Sequence, residues 1–146
     1  MDPLTASGLA STVVQLGAFA GDVLLKLHRY YIDVKEGPTR AAELREEVGF
    51  ALFQLNAISI VLNSGTITTL NISEMRVAAD RLRRVLEKID KRTQPENLRG
   101  FARLKWPFKK EENAQLIAEI ERCKSGFGLA LNIEQRYSSP TPILRN

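Results

Sequence analysis

At 146 residues the chain has the length of a single domain, and 44% apolar against 26% charged residues is the balance of an ordinary globular fold. Its net charge of +4 is gathered in one quarter: residues 76–110 carry 12 basic and 4 acidic groups, against 5 and 8 in residues 1–75 and 4 and 5 in residues 111–146. One cysteine, Cys123, and one histidine, His28, rule out an intramolecular disulfide and a cysteine metal cluster, argue against a histidine-based triad, and suit a reducing compartment.

The first element contains an uncharged stretch, residues 3–21, PLTASGLASTVVQLGAFAG, between Asp2 and Asp22. As a helix it would reach about 28 Å, close to the thickness of a bilayer's hydrocarbon core. With Asp2 as the only charge before it, it lacks the positive n-region of a secretory signal. Asp2 is a good N-cap and Pro3 a good first helical residue. Leu9, Val13, Leu16, Ala20, Val23, Leu27, Tyr30 and Val34 follow at alternating spacings of four and three, the seam of a bundle helix. A second stripe is small: Ala6, Ala10, Gly17 and Gly21. Glycine inside a helix costs about 1 kcal/mol relative to alanine, so Gly17-x-x-x-Gly21 predicts the close approach of another helix. Glu36-Gly37-Pro38 is the expected stop.

A second helix is expected over residues 39–62, with a seam of Leu44, Val48, Ala51, Leu55, Ile58 and Leu62. From 48 to 62 its only polar side chains are Gln54, Asn56 and Ser59, so it reads as a central, buried helix. Residues 63–71 read as a loop. The third helix is expected from about residue 72 or 73 to 92, capped by Ser73, with Met75, Ala79, Leu82, Leu86 and Ile89 as its apolar stripe and seven basic residues on its other faces. Thr93 and Glu96 have capping-box spacing and predict a short helix through Leu98, Phe101 and Leu104. Trp106-Pro107-Phe108 is a corner, because proline disfavours the helical region for Trp106. The fourth helix is expected from residues 109–112 to 136–137, with Glu111 and Glu112 in its first turn and a seam of Leu116, Ile120, Cys123, Phe127 and Ala130. No segment reads better as strand. The expected architecture is an all-α four-helix bundle with one additional short helix, over residues 1–137, and a linker-like tail over 138–146.

Catalytic motifs are missing: there is no GxxxxGK[ST], HExxH, GxSxG or EF-hand loop, so neither an enzyme nor a cofactor is expected. Glu46-Glu47 and Glu111-Glu112 read as helix-surface carboxylates, His28 as a boundary residue and Cys123 as a core thiol. The basic third helix alternates with Asp80, Glu87 and Asp90, as a solvated face does. Arg99, Arg103, Lys105, Lys109 and Lys110 stand instead beside Trp106 and Phe108. Cations next to aromatics suit a lipid interface, where rings sit at headgroup level; nucleic acid is the weaker reading and a plain solvated surface the simplest. The uncharged 3–21 stretch reads first as a core helix. Its lack of charge also removes the ~2.5–3.5 kcal/mol per-residue penalty that forbids insertion into a bilayer.

Three segments together resemble a known family: the opening MDPLTASGLASTVVQLGAFAGDVLLKLHRYYIDVKEGP, then LREEVGFALFQLNAI, then LKWPFKKEENAQLIAEIERCKSGFGLAL. In this order they are similar to the HeLo-like (HELL) N-terminal domains of fungal STAND (NACHT-type, NLR-like) receptors, of the HeLo superfamily, over residues 1–137. The resemblance implies a helical bundle related to that of the necroptotic pseudokinase, acting in programmed cell death, innate immunity and heterokaryon incompatibility. It implies a cytoplasmic domain recruited to the plasma membrane on activation, which oligomerises and permeabilises the membrane. The inserting element would be Leu4, Leu9, Val13, Leu16, Gly17, Phe19 and Gly21, with Arg99, Arg103, Lys105, Lys109 and Lys110 on anionic lipid. Its partners would be anionic lipids, further copies of itself and a STAND/NACHT or amyloid-motif signalling module, with no nucleic acid. The alternative is a homotypic adaptor that signals without touching membrane, through the surface of the first or third helix.

Overall fold

Four long helices carry the fold: α1 (Pro3–Asp33), α2 (Pro38–Asn63), α3 (Thr69–Arg92) and α4 (Lys110–Ser138). The structure, a computed structural model, describes residues 3–33, 38–63, 69–94 and 106–138, with side chains described for 8–32, 38–63, 72–94 and 106–130. There is no strand among the described residues, and the chain is an all-α bundle, as its periodicity predicts.

Around the bundle the helices stand in the order α1, α2, α4, α3, so the chain crosses a diagonal between α2 and α3. Consecutive helices run in opposite directions: Arg92 at the end of α3 meets Glu112 at the start of α4. Non-consecutive neighbours run parallel, with Lys26 of α1 level with Asp90 of α3 and Glu47 of α2 level with Lys124 of α4. One end of the bundle therefore holds the starts of α1 and α3 and the ends of α2 and α4. The other end holds the corner before α4.

Every seam residue predicted on the four helices and described here is buried, from Leu9 through Tyr30 on α1 to Ala130 on α4. Fully burying a leucine or isoleucine stabilises the fold by roughly 1.5–3 kcal/mol, and the core holds more than a dozen such side chains, Leu9, Leu27, Leu44, Leu55, Ile58, Leu82, Leu86, Ile89 and Ile120 among those without measurable exposure or nearly so. Cys123 sits in this core. Burial pushes its thiol up from the ordinary 9.0 to about 11, with Glu119 adding to the shift and Arg81 opposing it.

Four expectations need correction. The third helix starts at Thr69 rather than at Ser73, which lies exposed inside α3, so the expected 63–71 loop is short. Pro38 opens α2 instead of closing α1, in keeping with proline's fit to a first helical turn. The second helix is not buried all round. It occupies one corner of a four-helix square, and Phe53 and Ile60 on its outer side are 75% and 71% exposed. Gly17 and Gly21 receive no close helix: a Cβ built at either would meet nothing within 4 Å. The close approach falls between α3 and α4 instead, where a Cβ at Gly126 would lie 3.3 Å from the Cβ of Ala78.

Thr93 ends α3 rather than visibly starting a new helix. Its hydroxyl donates to the carbonyls of Ile89, at 2.8 Å, and Asp90, at 3.3 Å. The rest of the predicted short helix lies outside the described residues, as do Asp2, Val34 and the tail after Ser138.

Candidate functional site

Leu9 and Val13, with 0% and 1% exposure, and Leu16 lie in the core, and Phe19 packs half-buried against it. Gly17 and Gly21 are half-buried on the flank of α1 that carries His28 and Tyr31 and faces α2. The side chain of Leu4 lies outside the described residues. On the outer side, Val14 is 58% exposed, and Ala18, Leu25 and Ile32 are exposed with it. Over residues 8–21 the helix is thus apolar inside and mixed outside, where Val14 and Ala18 alternate with exposed Ser11 and Gln15, and it has no charged side chain. Its polar groups there bond along the helix itself, Thr12 to the carbonyl of Gly8 at 2.9 Å and Gln15 to Ser11.

The second half of α1 is held differently. Lys26 pairs with Asp90 of α3 at 2.5 Å, and Asp90 also accepts from Gln94 at 2.9 Å. Arg45 of α2 donates to Nδ1 of His28 at 3.0 Å and stacks over the Tyr31 ring at 4.3 Å. The buried Tyr30 meets Trp106 edge-on, with 5.3 Å between ring centroids. Burial raises the Tyr30 hydroxyl's pKa. The described polar contacts from α1 to other helices begin at Lys26, so among the described residues apolar packing dominates the first half of α1 and polar contacts join it in the second.

Trp106 and Phe108 do not face outward as the lipid-interface reading expects. They are 5% and 1% exposed and close the end of the bundle, their rings 5.6 Å apart. The indole N–H donates to Oδ1 of Asn113 at 2.8 Å, and Asn113 Nδ2 donates to the carbonyl of Arg40 at 3.3 Å. Arg92 lies over the Phe108 ring at 5.0 Å and donates to the Pro107 carbonyl at 2.5 Å. Here the aromatic corner is a plug, and Arg92 is the cation that caps it. Lys109 and Lys110 are exposed at the start of α4; Arg99, Arg103 and Lys105 lie outside the described residues.

The predicted site is therefore divided. Lys109 and Lys110 stand at the plugged end, where Tyr30 of α1 meets Trp106, whereas Leu9 lies 21 residues back along α1, roughly 30 Å away. The second basic surface is the outer side of α3. Asp80 there pairs with Arg83 and, at 2.6 Å, with Arg84, and Arg83 reaches Glu87 at 3.9 Å. Exposed pairs of this kind contribute about 0–1 kcal/mol each and neutralise part of that face, in agreement with its alternating charges. Arg76, Arg83 and Asp80 line a shallow groove against Thr12 of α1. Glu47 and Glu112 of the adjacent-carboxylate pairs are engaged with Lys124 and Arg92. No cluster of three or more metal-ligating side chains occurs among the described residues.

Sequence reading missed Asn113 and the outer residues of α2. A signal existed for each. Asn113 occupies a seam position, three before Leu116, where a polar group needs a partner; Phe50, Phe53, Ala57 and Ile60 repeat at three and four on the side opposite the core seam.

Fold and surface together define the class, an all-α four-helix bundle with an apolar first helix. Compared with protein-family models, curated proteins and solved structures, the chain matches none.

Proposed function

We propose that the chain is a cell-death domain of the HeLo-like kind, in its resting bundle, whose α1 leaves the core, enters an anionic bilayer and permeabilises it as an oligomer. One observation carries the reading: over residues 8–21 α1 has no charge on either face, with Leu9, Val13, Leu16 and Ala20 inward and Val14 and Ala18 outward beside the neutral Ser11 and Gln15. A bundle helix needs only the inward apolar stripe and can carry charge on its outer side. A helix that must also enter lipid needs an outer side without charge. Among the described residues one segment, Gly8–Ile32, is long and apolar enough to cross a membrane, with a mean hydropathy of 1.5. Core helices pass that test too, so the uncharged outer side counts for more than the length.

The anchoring pattern supports an order of events. Lys109 and Lys110, with Arg99, Arg103 and Lys105, meet anionic headgroups. The nearby second half of α1 stays pinned through Lys26, Tyr30 and Tyr31, and the first half, held by apolar contacts, swings out. Gly17 and Gly21, unused by the resting packing, then admit a neighbouring helix in the inserted oligomer. The domain acts from the cytoplasmic side on the plasma membrane and needs no cofactor. Dye release from vesicles tests the reading. Release from vesicles rich in anionic lipid, lost on Lys109→Glu with Lys110→Glu, is the expected result; intact vesicles at every protein concentration and oligomeric state would refute it.

A further inference from the structure

The second helix carries two seams. Leu44, Val48, Ala51, Leu55, Ile58 and Leu62 face the core, and Glu46, Phe50, Phe53, Ala57 and Ile60 repeat with the same four-three spacing on the outside. A helix with one seam belongs to one interface; a helix with two is built for two. Phe50, Phe53 and Ile60 are 51%, 75% and 71% exposed. The Phe50 ring is already covered on one side by the Lys124 ammonium at 4.9 Å, which leaves its outward side free.

We infer that this outer seam is a self-complementary interface, on which a second copy of the chain docks its own α2 antiparallel about a two-fold axis near residue 55. The register follows from the sequence. In that arrangement Phe50 meets Ile60 of the other copy and Phe53 meets Ala57, so each large side chain faces an aliphatic or small one. The charges choose the direction. Glu43 and Glu46 lie at one end of the seam. Antiparallel pairing sets the two Glu46 residues about 27 Å apart along the axis, well beyond a Debye length of about 8 Å. Parallel pairing would put them face to face.

The area sets the strength. At about 180 Å² for a large apolar side chain, the three exposed fractions amount to about 350 Å² per copy. With the flanking rim, two copies bury roughly 1,000 Å², in the range of weak, transient interfaces below about 1,200 Å². The dimer is accordingly weak and concentration-dependent. It uses neither α1 nor Lys109 and Lys110, and stands whether or not the domain enters membranes.

Sedimentation velocity on the whole chain tests it. The mass is expected to rise from 16.4 kDa towards twice that value as the concentration increases. Phe53→Asp, at an exposed position, is expected to keep the helical circular dichroism and melting temperature of the parent and to remain monomeric. Asn56→Cys, close to the two-fold axis, is expected to form a disulfide-linked dimer under mild oxidation, and Glu46→Cys is not. A 16.4 kDa species at all concentrations, a Phe53→Asp variant that still dimerises, or faster cross-linking at 46 than at 56 would each overturn the inference. So would a chain that stays monomeric and loses vesicle binding on Phe53→Asp, which would make the seam a lipid contact.

Discussion

The indole N–H of Trp106 donates to the side-chain oxygen of Asn113 at 2.8 Å, between residues 5% and 3% exposed. This bond ties the corner before α4 to the first turn of that helix, and the other end of the same amide holds the Arg40 carbonyl of α2. A buried donor left without an acceptor costs about 1–3 kcal/mol. Asn113→Ala orphans the indole and removes the donor to Arg40 at once. It is expected to lower stability by about 2–3 kcal/mol, or roughly 5–10 °C in Tm. Urea unfolding followed by the fluorescence of the only tryptophan reads it directly, with a red shift of the folded-state emission if the plug loosens.

The glycines divide into two kinds. Gly17 and Gly21 have open space where a Cβ would go, so alanine at either is expected to stabilise the bundle by about 0.5–1 kcal/mol through helix propensity and a less flexible unfolded chain. A Cβ at Gly126 would lie only 3.3 Å from that of Ala78, closer than ordinary contact, and both atoms are fixed to helix backbones. Gly126→Ala is expected to push α3 and α4 apart and to destabilise. Thermal unfolding of the three variants should give opposite signs. If Gly17 and Gly21 serve the inserted oligomer, their alanine variants should also melt higher and permeabilise less.

The Cys123 thiol gives an alkaline signature. Its folded pKa of about 11 lies above the ordinary 9.0, so the folded state holds the proton more tightly. The associated stability is complete below pH 9 and is lost as the pH rises towards 11, by on the order of 2–3 kcal/mol. Chemical denaturation at pH 8, 9.5 and 10.5 should show this loss, reduced in Cys123→Ala after allowance for the small cavity that variant leaves. At neutral pH the buried thiol should resist alkylation until the chain unfolds.

Much of the fold was legible because the four-three spacing is a direct image of helix packing. Leu9 to Tyr30, Leu44 to Leu62, Met75 to Ile89 and Leu116 to Ala130 all occupy the core as their spacing requires. What spacing cannot give is which neighbours a helix has. Phe50, Phe53 and Ile60 look buried in the sequence because α2 is apolar nearly all round; they are exposed because its two neighbours, α1 and α4, cover only one side of it. The same gap misled the reading of Gly17 and Gly21, whose small-residue spacing fits a helix contact that the resting bundle makes at Gly126. At the site, the inward residues of α1 were legible from period alone. The burial of Trp106 and Phe108 was not, since a tryptophan beside lysines reads the same at a lipid surface as over a bundle end; Asn113, seven residues on, makes the difference.

Val14 and Ala18 offer the sharpest test of whether α1 enters the bilayer. Both are exposed in the bundle, so lysine at either position should leave folding and melting temperature almost unchanged. Within a membrane the same lysine costs about 2.5–3.5 kcal/mol near the helix centre. Dye release from anionic vesicles by the parent chain and by Val14→Lys and Ala18→Lys, each confirmed as folded, compares the two environments. Release by the parent and a tenfold or greater loss in both variants, in line with about 1.4 kcal/mol per factor of ten, is the expected result. Equal release by the lysine variants would contradict the insertion of α1.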